Sequence, residues 1–189
     1  MATDERLRRV FHVSGSWPVA LYLLGWLAWP QVRLVYLAGI VTAVGLEALR
    51  LSGTVDWWVF ERLTRDYEQT NPAGYALYVV ASGVVALAFA PRIAVPAILL
   101  LAVVDPISGL LSAPERRPVK RPLALAVTFG LSGLIARLFV PLPAALAAAV
   151  VTTLADGATP VVRGYVIDDN VGIPVGAALA MWVALQVVG

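Results

Sequence analysis

The chain consists of apolar runs that follow one another with few interruptions. Seven runs, each bounded by charge, proline or glycine, lie at about 13–29, 34–49, 74–90, 93–113, 122–140, 143–162 and 171–188. A helix of about 20 apolar residues crosses the hydrocarbon core of a membrane, and only helices and closed barrels satisfy their own backbone hydrogen bonds there. The sequence therefore predicts an all-α, polytopic membrane bundle of about seven transmembrane helices.

Composition supports this fold class and excludes others. The 189 residues are 60% hydrophobic and 14% charged, whereas roughly a quarter of the residues in a soluble domain are charged. This length leaves no room for a separate soluble domain, so we expect a single integral membrane domain over residues 1–189. The chain has no cysteine and one histidine, which excludes disulfides and multi-histidine metal clusters. Its net charge of +2 gives no reason to expect nucleic acid as a partner.

The distribution of charge predicts an orientation. Eleven of the 14 Lys and Arg residues fall in segments on the same face of the predicted bundle as the N-terminus. The turns on the opposite face hold only Arg33, Arg92 and Arg137. Because cytoplasmic loops are enriched in Lys and Arg, we expect the N-terminus in the cytoplasm. Between the second and third runs, residues 52–72 mix aromatic and charged side chains at helical spacing, which predicts one amphipathic helix along the membrane interface.

A carboxylate interrupts the fourth apolar run. Asp105 is followed directly by Pro106 and soon by Gly109, while Glu47 and Asp156 lie inside other runs, towards the same predicted side. An ionised Asp in a spanning helix costs roughly 2.5–3.5 kcal/mol on insertion scales, so it is usually retained for a partner, an ion or a reaction. Because proline removes a backbone donor, we expect the helix to unwind here towards a cavity, or to form a kink whose Asp pairs with an arginine.

Two basic groups lie in the predicted cytoplasmic segments. At the N-terminus, helical spacing places four polar side chains on one stripe, namely Glu5, Arg8, Arg9 and His12. After the fourth run a short loop carries four cations, namely Arg116, Arg117, Lys120 and Arg121. Arginine forks and a lysine ammonium suit the oxygens of a polyphosphate. Basic groups at these places also bind lipid head groups, or simply follow the enrichment of positive charge in cytoplasmic loops.

Two adjacent carboxylates and an amide precede the last run: Asp168, Asp169 and Asn170. Such oxygen ligands suit Mg²⁺, which prefers one or two carboxylates together with substrate phosphates and water. A helix cap is the alternative, and it accounts for one of the three residues. Taken with the basic groups, they predict Mg²⁺-assisted phosphoryl or nucleotidyl transfer at the cytoplasmic membrane surface. The chain has neither a Walker loop nor a kinase glycine loop.

These residues resemble the motifs of the polyprenol and dolichol kinase family, which includes phytol kinase and the CTP-dependent diacylglycerol kinases and is distantly related to the phosphatidate cytidylyltransferases. The similar elements are Glu-x-x-Arg-Lys-x-x-His-x-x-Gly at 5–15, with Arg9 for the lysine, Gly-Asp-Pro-x-Ala at 104–108, the lysine of Lys-Ser-x-Glu-Gly at Lys120, and Asp-Asp-Asn at 168–170 with Pro174. Their order agrees across nearly the whole chain. Val104 stands where the second element has Gly, and Arg121-Pro-Leu-Ala124 follows the lysine.

The resemblance implies an all-helical membrane kinase that transfers the terminal phosphate of CTP to a lipid alcohol with Mg²⁺ or another divalent cation. The acceptor would be a polyprenol-like, dolichol-like, other isoprenoid or glycerolipid alcohol. The cation would be held by Asp105, Asp168 and Asp169, with Asn170 as a further oxygen ligand or phosphate donor. The nucleotide phosphates would be bound by Arg8, Arg9, His12, Arg116, Arg117, Lys120 and Arg121.

Two other functions fit the sequence. A cytidylyltransferase would use the same nucleotide and cation to make a CDP-lipid from a lipid phosphate. A non-catalytic transporter or membrane scaffold would use the buried carboxylates to relay protons or an ion. The transporter needs polar residues through to the outer face, whereas the acidic residues here stop on the inner side.

Overall fold

The computed structural model describes residues 14–54, 57–58, 60, 64, 68–112, 120–158, 161–162, 165–166 and 168–188. Its helices are α1 (Trp17–Leu23), α2 (Trp29–Leu51), α3 (Gly74–Ala88), α4 (Pro91–Leu99), a π-helical segment (Leu100–Val104), α5 (Asp105–Leu111), α6 (Pro122–Arg137), α7 (Leu142–Gly157) and α8 (Asp169–Val188). Between α7 and α8, strands β1 (Val161–Val162) and β2 (Tyr165–Val166) pair antiparallel. The predicted helical fold class is confirmed.

Among the described helices, three segments are long and apolar enough to cross a membrane: Trp29–Leu51, Pro91–Leu111 and Asp169–Val187. Helices α3, α6 and α7 are also apolar but have only 15 or 16 residues. These three helices are consistent with the predicted membrane protein, while the count of seven crossings and the cytoplasmic N-terminus stay predictions. The predicted interfacial helix over 52–72 falls largely outside the described residues.

Internal contacts divide the chain into two compact units, Met1–Leu87 and Ala88–Gly189, here called the N-terminal and C-terminal units. The expectation of a single membrane domain stays a prediction. In the N-terminal unit α2 and α3 run antiparallel. The start of α2 lies beside the end of α3, where Nε of Arg33 donates to the carbonyl of Ala86 at 3.1 Å. Gly83 allows close packing between these helices, since a Cβ there would lie 2.7 Å from Cδ1 of Ile40 and would displace that side chain.

An ion pair near the end of α2, between Glu47 and Arg50, forms hydrogen bonds with the chain that enters α3. The buried Glu47 carboxylate accepts hydrogen bonds from Nε and Nη2 of Arg50, at 3.0 and 2.5 Å. It also accepts from the backbone N–H of Ala73 and the hydroxyl of Tyr75, both at 2.7 Å. Arg50 in turn donates to backbone carbonyls within residues 68–71. Glu47 is therefore a structural carboxylate that fixes this segment to α2.

In the C-terminal unit α7 packs against both α6 and α8. Glycines bring the backbones close together. A Cβ at Gly157 of α7 would lie 2.5 Å from Cδ2 of Leu125 in α6, and one at Gly176 of α8 would lie 2.8 Å from Cγ1 of Val151 in α7. Small residues of this kind allow close approach of membrane helices. Close packing at Gly157 places its neighbour Asp156 against α6.

The helix that carries Asp105 widens just before that residue. Helix α4, the π-helical segment and α5 form one continuous helix over Pro91–Leu111. Pro106 has no N–H to donate, and its ring displaces the carbonyl four residues earlier, which a π-helical turn accommodates. The expected unwinding at Asp105 does not occur, and the helix continues to Leu111. The side chains of the π-helical segment that are buried are Leu100, Leu101, Ala102 and Val104.

Candidate functional site

Three carboxylates from three helical segments meet in the C-terminal unit. Asp105 begins α5, Asp156 is the penultimate residue of α7, and Asp169 begins α8. One oxygen of each lies within 4.8 Å of one oxygen of the others. Asp156 is buried, while Asp105 and Asp169 are partly exposed. Carboxylate oxygens in such a group are the ligands that hard divalent cations prefer.

Lysine and hydroxyl donors surround Asp156. Nζ of Lys120 donates to its Oδ1 at 2.6 Å, and the hydroxyls of Ser108 and Thr128 donate to its Oδ2 at 2.5 and 3.1 Å. Lys120 Nζ also donates to Oγ of Ser108 at 3.1 Å. The backbone N–H of Lys120 donates to the carbonyl of Gly157 at 3.2 Å. The ammonium group is thereby fixed beside the three carboxylates.

Asp168 caps helix α8. Its Oδ1 accepts from the backbone N–H of Asn170 at 2.9 Å and from Nδ2 of the same residue at 2.5 Å. A side-chain oxygen that accepts from the second residue of a helix satisfies one of the donors left open at a helix start. The Oδ1 of Asn170 is buried and has no hydrogen-bond partner among the described residues. Leaving a buried acceptor unpaired costs about 1–3 kcal/mol, so this oxygen is available to a cation or a donor on a ligand.

The structure brings part of the predicted site together. Asp105, Asp169 and Lys120 lie in one group, and Asp168 and Asn170 lie at the adjoining start of α8. Arg121, which was predicted to bind phosphate, is exposed and lies just before α6. The other predicted phosphate ligands fall outside the described residues, and they are Arg8, Arg9, His12, Arg116 and Arg117.

Asp156 is the site residue that the sequence motifs missed. Its position inside an apolar run marked it as unusual, as it did for Asp105 and Glu47. That signal is not specific, because Glu47 has the same pattern and forms a structural ion pair in the N-terminal unit. Sequence spacing does not show whether Glu47 or Asp156 lies beside Asp105, since both residues are far from Asp105 in the chain.

A short polar stripe extends from Asp156 along the contact between α6 and α7. Thr128 meets Asp156, and one helical turn further Ser132 and Thr152 are both buried. Oγ of Ser132 and Oγ1 of Thr152 have no hydrogen-bond partner within the described part of the chain. The following turn is apolar and buried, and consists of Ala136 and Ala148. The stripe therefore ends inside the unit.

Comparison with protein-family models, with curated proteins and with solved structures finds no match to this chain. The resemblance to the polyprenol and dolichol kinases therefore rests on the sequence motifs alone.

Proposed function

We propose that this protein is a kinase that transfers the terminal phosphate of a nucleoside triphosphate to the hydroxyl of a lipid alcohol. The observation that supports the proposal best is the group of three carboxylates beside the fixed ammonium of Lys120, within a unit of apolar helices. Charges inside an apolar bundle are usually retained for an ion, a partner or a reaction. CTP is the nucleotide that the family resemblance implies, and the acceptor is a polyprenol-like, other isoprenoid or glycerolipid alcohol.

The proposed topology has seven crossings with the N-terminus in the cytoplasm. It is supported by the asymmetry of Lys and Arg along the sequence. With helices that alternate in direction, the end of the segment Pro91–Leu111, the start of α6, the end of α7 and the start of α8 lie on one side. That side would be cytoplasmic, where nucleotides are available, and the lipid acceptor would enter between helices from the bilayer.

The residues present fit a divalent cation. Asp105 and Asp169 offer carboxylate oxygens in partly exposed positions, and the buried Oδ1 of Asn170 is an acceptor without a described partner. Asp168, which caps α8, belongs to the ligand set that the resemblance implies. When bound, Mg²⁺ would offset the negative charge of the nucleotide phosphates.

The chain's own residues would orient the reactants. Lys120 would donate to a phosphate oxygen and offset charge as the phosphoryl group moves. The lipid oxygen forms a bond to the γ-phosphorus while the bond from that phosphorus to the bridging oxygen breaks. The nucleoside diphosphate leaves, and a carboxylate of the site takes the proton of the alcohol.

An enzyme is better supported than an ion-coupled transporter. A transport path needs polar side chains on both sides of the site. In the described C-terminal unit the stripe of Ser132 and Thr152 ends at a buried alanine pair, and neither hydroxyl leads to a further described partner. This arrangement favours chemistry at one membrane face.

The deciding experiment uses the full-length protein in lipid nanodiscs with Mg²⁺, a panel of lipid alcohols and lipid phosphates, and CTP or ATP labelled at the α or γ phosphate. Transfer of the γ label to an alcohol supports the kinase, whereas transfer of the α label to a lipid phosphate identifies a cytidylyltransferase. Ion-dependent flux in liposomes without any labelled lipid would favour the transporter.

Substitution at the carboxylates tests the site itself. Asp105→Asn and Asp169→Asn should each lower transfer at least about 100-fold, because removing one stabilising group from a transition state costs about this much. Ser132→Ala, in the same unit, is the matched control and should keep normal turnover. Equal size-exclusion profiles check insertion and folding, and normal turnover in Asp105→Asn would contradict the assignment.

A further inference from the structure

The hydrogen bonds of Asp156 leave it little capacity to bind a cation. A carboxylate has about four acceptor positions, two on each oxygen. Oδ2 accepts from Ser108 and Thr128, and Oδ1 accepts from Nζ of Lys120. The side chain of Asp156 is 0% exposed, so water does not compete for these positions. The remaining position lies on Oδ1, where a cation would meet the like charge of Lys120.

Both the backbone and the ammonium group of Lys120 are fixed by hydrogen bonds. Nζ donates to Oδ1 of Asp156 at 2.6 Å and to Oγ of Ser108 at 3.1 Å, and the backbone N–H is bonded to Gly157. A lysine ammonium has three protons on a flexible stem, so these contacts hold it in place, and one N–H has no hydrogen-bond partner among the described residues and is available to a ligand. The side chain is 22% exposed, which gives a ligand access to that N–H.

We infer that Asp156 is a positioning residue, which holds the Lys120 ammonium where it meets a phosphate oxygen of the nucleotide, while Asp105 and Asp169 bind the cation. The inference rests on the proposed function. It divides the three neighbouring carboxylates into two roles. A cation that keeps water and phosphate ligands needs carboxylates at accessible positions, and Asp105 and Asp169 are partly exposed whereas Asp156 is buried.

Two binding measurements without turnover separate these roles. Mn²⁺ affinity is measured by electron paramagnetic resonance and CTP affinity by equilibrium binding, on the full-length protein in nanodiscs. The double variant Asp156→Asn with Lys120→Met leaves the local net charge unchanged and should change Mn²⁺ affinity less than about threefold, whereas Asp105→Asn should lower it about 100-fold. Asp156→Asn and Lys120→Met should each weaken CTP binding about tenfold. The double variant should bind CTP no more weakly than either single variant, because both changes remove the same contact, that of the Lys120 ammonium with a phosphate oxygen.

The double variant also protects the test against misfolding. Asp156→Asn leaves the Lys120 charge without its carboxylate, and such a change can unfold a protein. With both charges removed, Mn²⁺ affinity stays near that of the wild type if Asp156 is a positioning residue, and falls as in Asp105→Asn if it is a metal ligand. Ser132→Ala is the control that should leave both affinities unchanged.

The outcomes distinguish this inference from the proposed function. If the double variant loses Mn²⁺ as Asp105→Asn does, the positioning role is wrong and the kinase proposal stands. If Asp156→Asn and Lys120→Met weaken CTP binding additively, the two residues act separately and the inference also fails. A wild-type protein that binds neither Mn²⁺ nor CTP overturns both.

Discussion

Replacing Glu47 by alanine should destabilise the N-terminal unit strongly. The carboxylate accepts four hydrogen bonds of 2.5–3.0 Å, two from Arg50, one from the backbone of Ala73 and one from Tyr75. A bond to a charged group contributes about 1.5–3 kcal/mol, but four bonds to one carboxylate do not add. Removing one partner of a buried ion pair costs about 3–5 kcal/mol, because the other charge stays uncompensated. We expect Glu47→Ala to lower the free energy of unfolding by about this amount.

The assay is denaturant unfolding of the purified protein in detergent, followed by circular dichroism. Glu47→Ala combined with Arg50→Met should cost less than the sum of the single changes, because the double variant leaves no unpaired charge. Arg137→Met is the control, since Arg137 is exposed and donates to the carbonyl of Val140 at 3.3 Å. It should shift stability by no more than about 0.5 kcal/mol. A loss below about 1 kcal/mol for Glu47→Ala would refute the account of a buried, fully paired carboxylate.

Two further predictions concern packing. Gly83→Ala adds a methyl group 2.7 Å from Cδ1 of Ile40, so it should lower the free energy of unfolding by about 1–3 kcal/mol, measured by thermal or denaturant unfolding. Gly130→Ala is the control, because a Cβ there would meet nothing within 4 Å, and it should leave the free energy of unfolding unchanged or raise it by up to about 1 kcal/mol. Equal effects of the two changes would mean that α2 and α3 do not approach closely at this point. Thr152→Val removes a buried hydroxyl without a described partner, so it should be neutral or stabilising, and a loss above about 1 kcal/mol would reveal a bound water at that position.

Hydropathy predicted most helix positions well. The runs at 74–90, 122–140 and 171–188 correspond to α3, α6 and α8 with ends that agree within three residues. The first run was less accurate. The run at 13–29 contains only the seven-residue α1, and α2 begins at the last residue of that run, because Pro30 is tolerated in the first turn of a helix.

The local effect of Pro106 was harder to predict. Its missing N–H can be accommodated by unwinding, by a kink or by a wider helical turn, and the three differ little in sequence pattern. The structure adopts the wider turn ahead of Asp105, within a buried stretch where an unwound backbone would lack hydrogen-bond partners. The sequence correctly marked the position as unusual but did not distinguish among these responses.

Hydropathy and helical period specify the membrane class, the helices and the presence of acids inside them, because these are local properties of the chain. Packing selects what each acid does. Asp156 joins Asp105 and Asp169, Glu47 pairs with Arg50, and Asp168 caps α8. These partnerships depend on which helices approach one another and at what register. That register is set by close contacts between small residues of distant segments, which no local pattern encodes.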